Sequence, residues 1–152
     1  MADRGAGRRK PARHTQQRRP SQPRTPRGRA RDPARQVALD VLLAVADRDA
    51  YANLLLPHLL AQRRLDGRDA ALATELTYGT LRGRGTYDAV LAVCCDRDLD
   101  SLDPVVREVL RLGTHQLIGT RIQPHAAVAT SVNLVKDAAG GRSTGYSLAA
   151  IE

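Results

Sequence analysis

The chain has 152 residues, which is enough for one domain with a real hydrophobic core, and its formal net charge is +8. No stretch approaches the roughly 18–20 apolar residues of a membrane span, and the basic N-terminus lacks the apolar segment of a secretory signal. We therefore expect a cytoplasmic location and no membrane partner. The two cysteines, Cys94 and Cys95, are adjacent, which excludes both a CxxC ligand pair and a disulfide framework.

The positive charge is concentrated at the N-terminus. Residues 1–33 contain eleven basic and two acidic side chains, whereas residues 34–152 contain thirteen basic and fourteen acidic ones. Residues 1–31 hold no Leu, Ile, Val or aromatic side chain, so they cannot bury enough apolar surface to offset the entropy of ordering. We expect a disordered Arg/Pro-rich arm there, with a charge that suits nucleic-acid phosphates. A solubilising role is the alternative.

The first two predicted helices follow the arm. Asp32 and Pro33 form a typical helix start, and an apolar stripe at helical spacing continues to Val45. A second helix is expected over "NLLLPHLLAQRRL", with Asn53 as its cap. His58 in this helix is expected to pack or to lie at the solvent edge.

Two further helices are predicted between residues 67 and 95. One covers "GRDAALATELTYGTLRG", where Gly79 costs about 1 kcal/mol relative to Ala and so indicates a close approach of another helix. Gly83 and Gly85 predict a break or kink, after which "TYDAVLAVCC" forms a short fourth helix. Cys94 and Cys95 at its end are expected to be small buried apolar side chains.

The last two predicted helices lie beyond the acidic linker "DRDLDSLDP". Asp103 and Pro104 start a fifth helix over "PVVREVLRLGTHQLIG", and Pro124 starts a sixth, which Gly140 and Gly141 end. The sixth helix is expected to bury Ala127, Val128, Ser131, Leu134, Val135 and Ala138. No segment alternates like a strand, so the domain is predicted to be all-α.

The sequence carries no recognisable catalytic or metal site. His58, His115 and His125 fall on three different predicted helices, and no HxxxH or ExxH pair shares a helical face. The glycines of "GTLRGRG" follow a helix, so they are a weak phosphate-loop signal. We therefore expect no catalytic residue, no metal and no cofactor in this chain.

Two blocks of the sequence resemble a known family. "LTYGTLRGRGTYDAVL" and "VREVLRLGTHQLIGTRIQPHAAVATSVNLVK" resemble the N-terminal domain of the Sun/Fmu-type 16S ribosomal-RNA cytosine-C5 methyltransferases over roughly residues 32–140. The resemblance implies the NusB fold, an RNA-binding helical bundle of about six helices in two packed subdomains. It also implies a divergent or truncated tail at residues 141–152, which from residue 142 reads "RSTGYSLAAIE" where the family continues into another helix.

The resemblance also implies roles for individual residues. Family positions in the third helix are Tyr78, Gly79, Leu81 and Arg82; those in the fifth are Leu112, Gly113, Gln116 and Leu117; those at the turn are Arg121, Pro124, His125, Ala126 and Ala127. His115 stands where the family usually has an aromatic side chain, which favours packing over catalysis.

The resulting expectation is a binding module and not an enzyme. The family's S-adenosylmethionine-binding domain and its catalytic cysteine motifs are absent from the sequence. The expected partners are RNA, above all 16S rRNA, and a C-terminal methyltransferase domain or another protein. The alternative is a stand-alone NusB-like transcription antitermination factor. The candidate RNA-contacting residues are Arg27, Arg29, Arg31, Arg35, Arg82, Arg84, Arg121 and His125, although each arginine of the folded domain has a solvated or ion-paired surface role as its alternative.

Overall fold

The computed structural model describes residues 32–139. They form five α-helices and one short 3-10 helix, with no strand in this range: α1 (Pro33–Arg48), α2 (Ala52–Gln62), α3 (Gly67–Cys94), the 3-10 helix (Leu99–Ser101), α4 (Pro104–Ile118) and α5 (Pro124–Ala139). The all-α prediction is confirmed. The predicted arm (1–31), the glycine stop of the last helix and the predicted tail lie outside the described residues.

Helices α1 and α4 begin where the two Asp-Pro pairs predict. Asp32 accepts a hydrogen bond from the Arg35 backbone N–H, and Asp103 accepts bonds from the first amides of α4, at 2.8 Å from Val105. Each proline occupies the first helical position, where a missing N–H costs nothing. Helix α2 differs from its prediction, because the predicted cap Asn53 lies inside the helix; α2 begins at Ala52 and is preceded by Tyr51, which makes no side-chain cap bond.

The predicted break at Gly83 and Gly85 is wrong, and α3 is one continuous helix of 28 residues. The bundle therefore has five helices instead of about six. Gly83 lies under the ring of Tyr87, so close that a Cβ on Gly83 would come 2.3 Å from the ring's Cζ. The glycine thus makes room for a buried aromatic side chain on the next turn, and this packing offsets its low helix propensity.

The core of the described residues consists of two apolar clusters, both of which include residues of α1. One cluster joins α1 to α2 and the first half of α3, with Val37, Val41 and Leu56 at its centre. The other joins α1 to α3, α4 and α5, with Leu42, Leu76 and Leu112 at its centre. Aliphatic side chains fill both clusters, as expected for a chain without Phe or Trp.

Close approaches and ion pairs hold α4 against its neighbours. Gly113 lies on α5, where a Cβ would come 2.9 Å from the Ser131 Oγ. On the α3 side, the buried Arg111 donates to both carboxylate oxygens of Asp88, at 2.6 and 2.8 Å, and to Glu108 at 2.5 Å. A bidentate arginine pair of this kind fixes the rotation of α4 relative to α3.

Two burial predictions are wrong. Val128, predicted to face inward on the last helix, is 54% exposed. Cys94 is exposed and Cys95 is half-buried, because α3 extends beyond the core at its C-terminal end. Within residues 32–139, none of the helices combines the length and the apolar character that crossing a bilayer requires.

Candidate nucleic-acid interface

The buried side chain of His115 is the centre of the α3–α4 contact. Its ring lies against Gly79, where a Cβ would come 2.1 Å from Nε2, and against Gly119, where a Cβ would come 2.5 Å from Nδ1. The hydroxyl of Tyr87 is hydrogen-bonded to Nδ1 at 2.8 Å. These contacts confirm the predicted close approach at Gly79. We call His115, Tyr87, Gly79 and Gly119 the ring lock.

Two charged side chains of α3, Glu75 and Arg82, lie near the His115 imidazole. Burial lowers the pKa of the imidazole below its ordinary value, and the Glu75 carboxylate, with Oε1 3.5 Å from Nε2, opposes this shift. The Arg82 guanidinium lies close enough to lower the pKa further. The imidazole is therefore neutral near pH 7 and packs in the core. Arg82 lies on the same side of α3 as the ring lock.

A second contact ties the start of α1 to the end of α4. The Arg35 Nε donates to the Gln116 Oε1 at 2.7 Å, and the same guanidinium forms an ion pair with Asp32. Arg35 is only 8% exposed. The prediction that Arg35 contacts phosphate is therefore wrong, because its charge is paired with Asp32 and its Nε–H donates to Gln116 inside the fold. A buried arginine that lost these partners would destabilise the domain.

The remaining arginines of the described region fall into two groups. Four more are ion-paired: Arg48 with Asp47, Arg63 with Asp40, Arg107 with Asp100, and Arg111 with Asp88 and Glu108. The other group makes no side-chain hydrogen bond or ion pair with any residue between 32 and 139: Arg64, Arg68, Arg82, Arg84, Arg97 and Arg121. Only this second group has its full charge available to an outside ligand.

Three of the predicted candidates lie on exposed surface, and one of them, Arg82, acts electrostatically on His115. Arg82 and Arg121 are exposed, and Arg121 follows two residues after Gly119. His125 is also exposed, in the first turn of α5. Arg84 is half-buried and lies about 200° around α3 from Arg82, so the two do not share a face. We call Arg82, Arg121 and His125 the corner surface.

The remaining predictions concern the N-terminal arginines and a metal site. Arg27, Arg29 and Arg31 lie outside the described residues. In the described part of the chain, no group of three or more His, Cys, Asp or Glu side chains is arranged to hold a metal ion. Sequence reasoning missed the contact of Glu75 with His115 and the pairing of Arg111 with Asp88, because these partners are far apart in the chain. The local signal for the Arg111 ion pairs was the (i, i+3) spacing of Glu108 and Arg111.

Comparison with known proteins assigns the chain to a family. Residues 32–147 match the NusB family. A protein of Mycobacterium tuberculosis named as a methyltransferase is 59% identical over 109 residues, which are 72% of this chain and 24% of that protein. The ribosomal RNA small subunit methyltransferase B of Yersinia pseudotuberculosis is 33% identical over 98 residues, 64% of this chain and 22% of the relative.

A solved structure has the same fold. The crystal structure of the antitermination factors NusB and NusE in complex with double-stranded RNA matches with a TM-score of 0.62 and 26% identity, over 70% of this chain and 80% of that one. The chain spans about a quarter of the length of the two curated relatives above. On the family match over three quarters of its length, the chain belongs to the NusB family.

Proposed function

We propose that this chain is the RNA-binding module of a ribosomal-RNA cytosine-C5 methyltransferase and that it docks on 16S rRNA. The observation that carries the proposal is the corner surface, where Arg82 and Arg121 are exposed and unpaired among the described residues while five other arginines are neutralised by carboxylates. The names of the relatives and the RNA in the structure of NusB and NusE support it.

The chemistry of the corner surface suits phosphate better than bases. Guanidinium groups bind phosphate oxygens by charge and by paired hydrogen bonds. Of the three tyrosines between residues 32 and 139, Tyr87 is buried and Tyr78 is half-buried, so stacking platforms for unpaired bases are scarce. The module would therefore recognise the RNA backbone and shape, and the eleven basic residues of the N-terminal 33 would add sequence-independent affinity.

In this proposal the chain performs no methyl transfer by itself. S-adenosylmethionine and the target cytosine would bind to the part of the relatives that this chain does not span. The protein partner would be that C-terminal methyltransferase domain, and the complex would act in the cytoplasm, where ribosomal RNA lies.

A stand-alone NusB-like antitermination factor is the second candidate. It is supported by the fold match to the structure of NusB with NusE, at 26% identity. The 59% identity to a protein named as a methyltransferase favours the first candidate.

Binding of a 16S rRNA transcript by the full chain tests the proposal. Arg82→Ala and Arg121→Ala should each weaken binding and reduce the slope of log affinity against log salt by roughly 0.7–0.9 per lost phosphate contact. Arg97→Ala is the matched control, because Arg97 is also exposed and unpaired in the described region but belongs to the acidic loop. Equal losses for all three variants, or no loss for the first two, would contradict the corner surface.

A methyl-transfer assay with S-adenosylmethionine tests the division of labour. We expect no transfer to 16S rRNA by this chain. Turnover by the purified chain would contradict the proposal that it only binds. A preference for antitermination-type leader RNA over 16S rRNA would favour the second candidate.

A further inference from the structure

One side of α3 carries three charged side chains at heptad spacing. Arg68, Glu75 and Arg82 are seven residues apart, and all three are exposed. Seven residues turn an α-helix by about 20° less than two full turns, so the three side chains leave α3 nearly in line. At a rise of about 1.5 Å per residue, the two arginines are about 21 Å apart along the helix, with the carboxylate midway between them. We call these three residues the α3 stripe.

The charges of the α3 stripe are available to an outside ligand. Neither arginine makes a side-chain hydrogen bond or ion pair with any residue between 32 and 139. The Oε1 atom of Glu75 lies 3.5 Å from Nε2 of His115, and the Glu75 side chain is 54% exposed. The carboxylate therefore lies beside the α3–α4 contact and keeps an accessible side that can accept hydrogen bonds.

The order of these charges distinguishes between forms of RNA. A single strand laid along the α3 stripe would bring its phosphates over Glu75, which would repel them. In a duplex the phosphates lie at the two edges of a groove, and the minor groove of A-form RNA displays 2′-hydroxyl groups between those edges. A carboxylate accepts hydrogen bonds and donates none, so the middle of the stripe suits a hydroxyl group and not a phosphate.

We infer that the α3 stripe lies across the minor groove of a double-stranded region of RNA. Arg68 and Arg82 bind phosphates at the two edges of the groove, and Glu75 accepts a hydrogen bond from a 2′-hydroxyl group between them. The inference rests on the proposed function and names the form of RNA that is bound. A DNA duplex is a poorer ligand, because its minor groove is only about 6 Å wide and has no 2′-hydroxyl group.

Binding of the full chain to three ligands of one sequence tests the inference. The ligands are an RNA duplex of about 16 base pairs, one of its strands alone, and the corresponding DNA duplex. We expect the RNA duplex to bind more tightly than either of the others by about tenfold, which one hydrogen bond to a charged group can supply. Arg68→Ala should reduce the slope of log affinity against log salt for the RNA duplex by about 0.9, whereas Arg97→Ala, in the acidic loop, should not.

Glu75→Ala separates hydrogen bonding from repulsion. This variant should weaken binding to the RNA duplex, because the 2′-hydroxyl group loses its acceptor, and strengthen binding to the single strand, because the repulsion is gone. Asp69→Ala is the matched control, since Asp69 is an exposed carboxylate of the same helix, about 120° around α3 from Glu75. It should affect all three ligands alike. Circular dichroism shows whether each variant keeps its helices.

The results distinguish this inference from the proposed function. If the natural chain binds the single strand as tightly as the RNA duplex, the inference is wrong and the proposed RNA-binding function stands. The same holds if Glu75→Ala binds all three ligands more tightly, because the carboxylate would then only repel phosphate. A chain that binds neither form of RNA would contradict both.

Discussion

Substituting Gly79 by alanine should destabilise the domain, although alanine is the better helix former. A Cβ at this position would come 2.1 Å from Nε2 and 2.2 Å from Cε1 of His115, so the ring or the helix must move by more than 1 Å to restore ordinary contact. The ring has little space to move, because Gly119 and Tyr87 hold its other side. Overpacking of this kind costs about 1–3 kcal/mol, and sometimes more.

The expected loss is the balance of two opposing effects. Alanine gains roughly 1 kcal/mol of helix propensity over glycine, so Gly79→Ala should lose a net of up to about 2 kcal/mol, with a larger loss if the ring cannot move. For a domain of this size a loss of about 2 kcal/mol corresponds to a fall in melting temperature of up to roughly 15 °C. Urea unfolding followed by far-ultraviolet circular dichroism measures the free energy directly.

Gly85→Ala is the control in the same helix. Nothing lies within 4 Å of a Cβ at Gly85, so this variant should gain about 0.5–1 kcal/mol. A second check is the double variant Gly79→Ala with His115→Ala. Its loss of unfolding free energy should be smaller than the sum of the losses of the two single variants, because the clash is gone. If Gly79→Ala is as stable as Gly85→Ala, the ring lock is not a tight contact and the reasoning fails.

Three further predictions concern charges. Stability should fall as the pH drops below about 6.5, because the unfolded chain binds a proton on His115 more readily than the buried imidazole does, and His115→Gln should reduce this pH dependence of the unfolding free energy. Arg111→Met should cost about 3–5 kcal/mol in urea unfolding, since Asp88 would lose its bidentate partner and the buried Glu108 would keep only Arg107, at 3.9 Å. Arg48→Met, at an exposed ion pair, should cost less than about 1 kcal/mol. Deleting residues 1–31 should weaken binding of 16S rRNA and flatten its salt dependence; an unchanged slope would remove this segment from the binding mechanism.

Local rules predicted the parts of the fold that depend on neighbouring residues. The Asp-Pro pairs at residues 32–33 and 103–104 define the starts of α1 and α4 because a cap and a proline act within one turn. The same rules gave a wrong prediction for α3, where the glycines indicated a break. Gly83 is unfavourable for an isolated helix, and only the position of the Tyr87 ring explains why the helix continues there.

The sequence predicted the kind of candidate site, an arginine-rich surface, but not which arginines belong to it. Composition indicates an arginine-rich surface, yet it cannot separate Arg35, whose partner Gln116 is 81 residues away, from the unpaired Arg82. The pairing of Arg111 with Asp88 is equally invisible, because it depends on how α3 and α4 cross. Sequence patterns report local geometry, whereas the charge left for a ligand depends on long-range contacts.

The ring lock constrains how this sequence can change over time. The ring of His115 occupies the space that a side chain at position 79 would need, and only glycine leaves that space free. A larger residue at 79 therefore costs stability unless 115 has become small, and a ring at 115 packs best where 79 is glycine. Among homologous sequences the two positions should vary together, so the pair identifies which relatives share this α3–α4 crossing even where little other similarity remains.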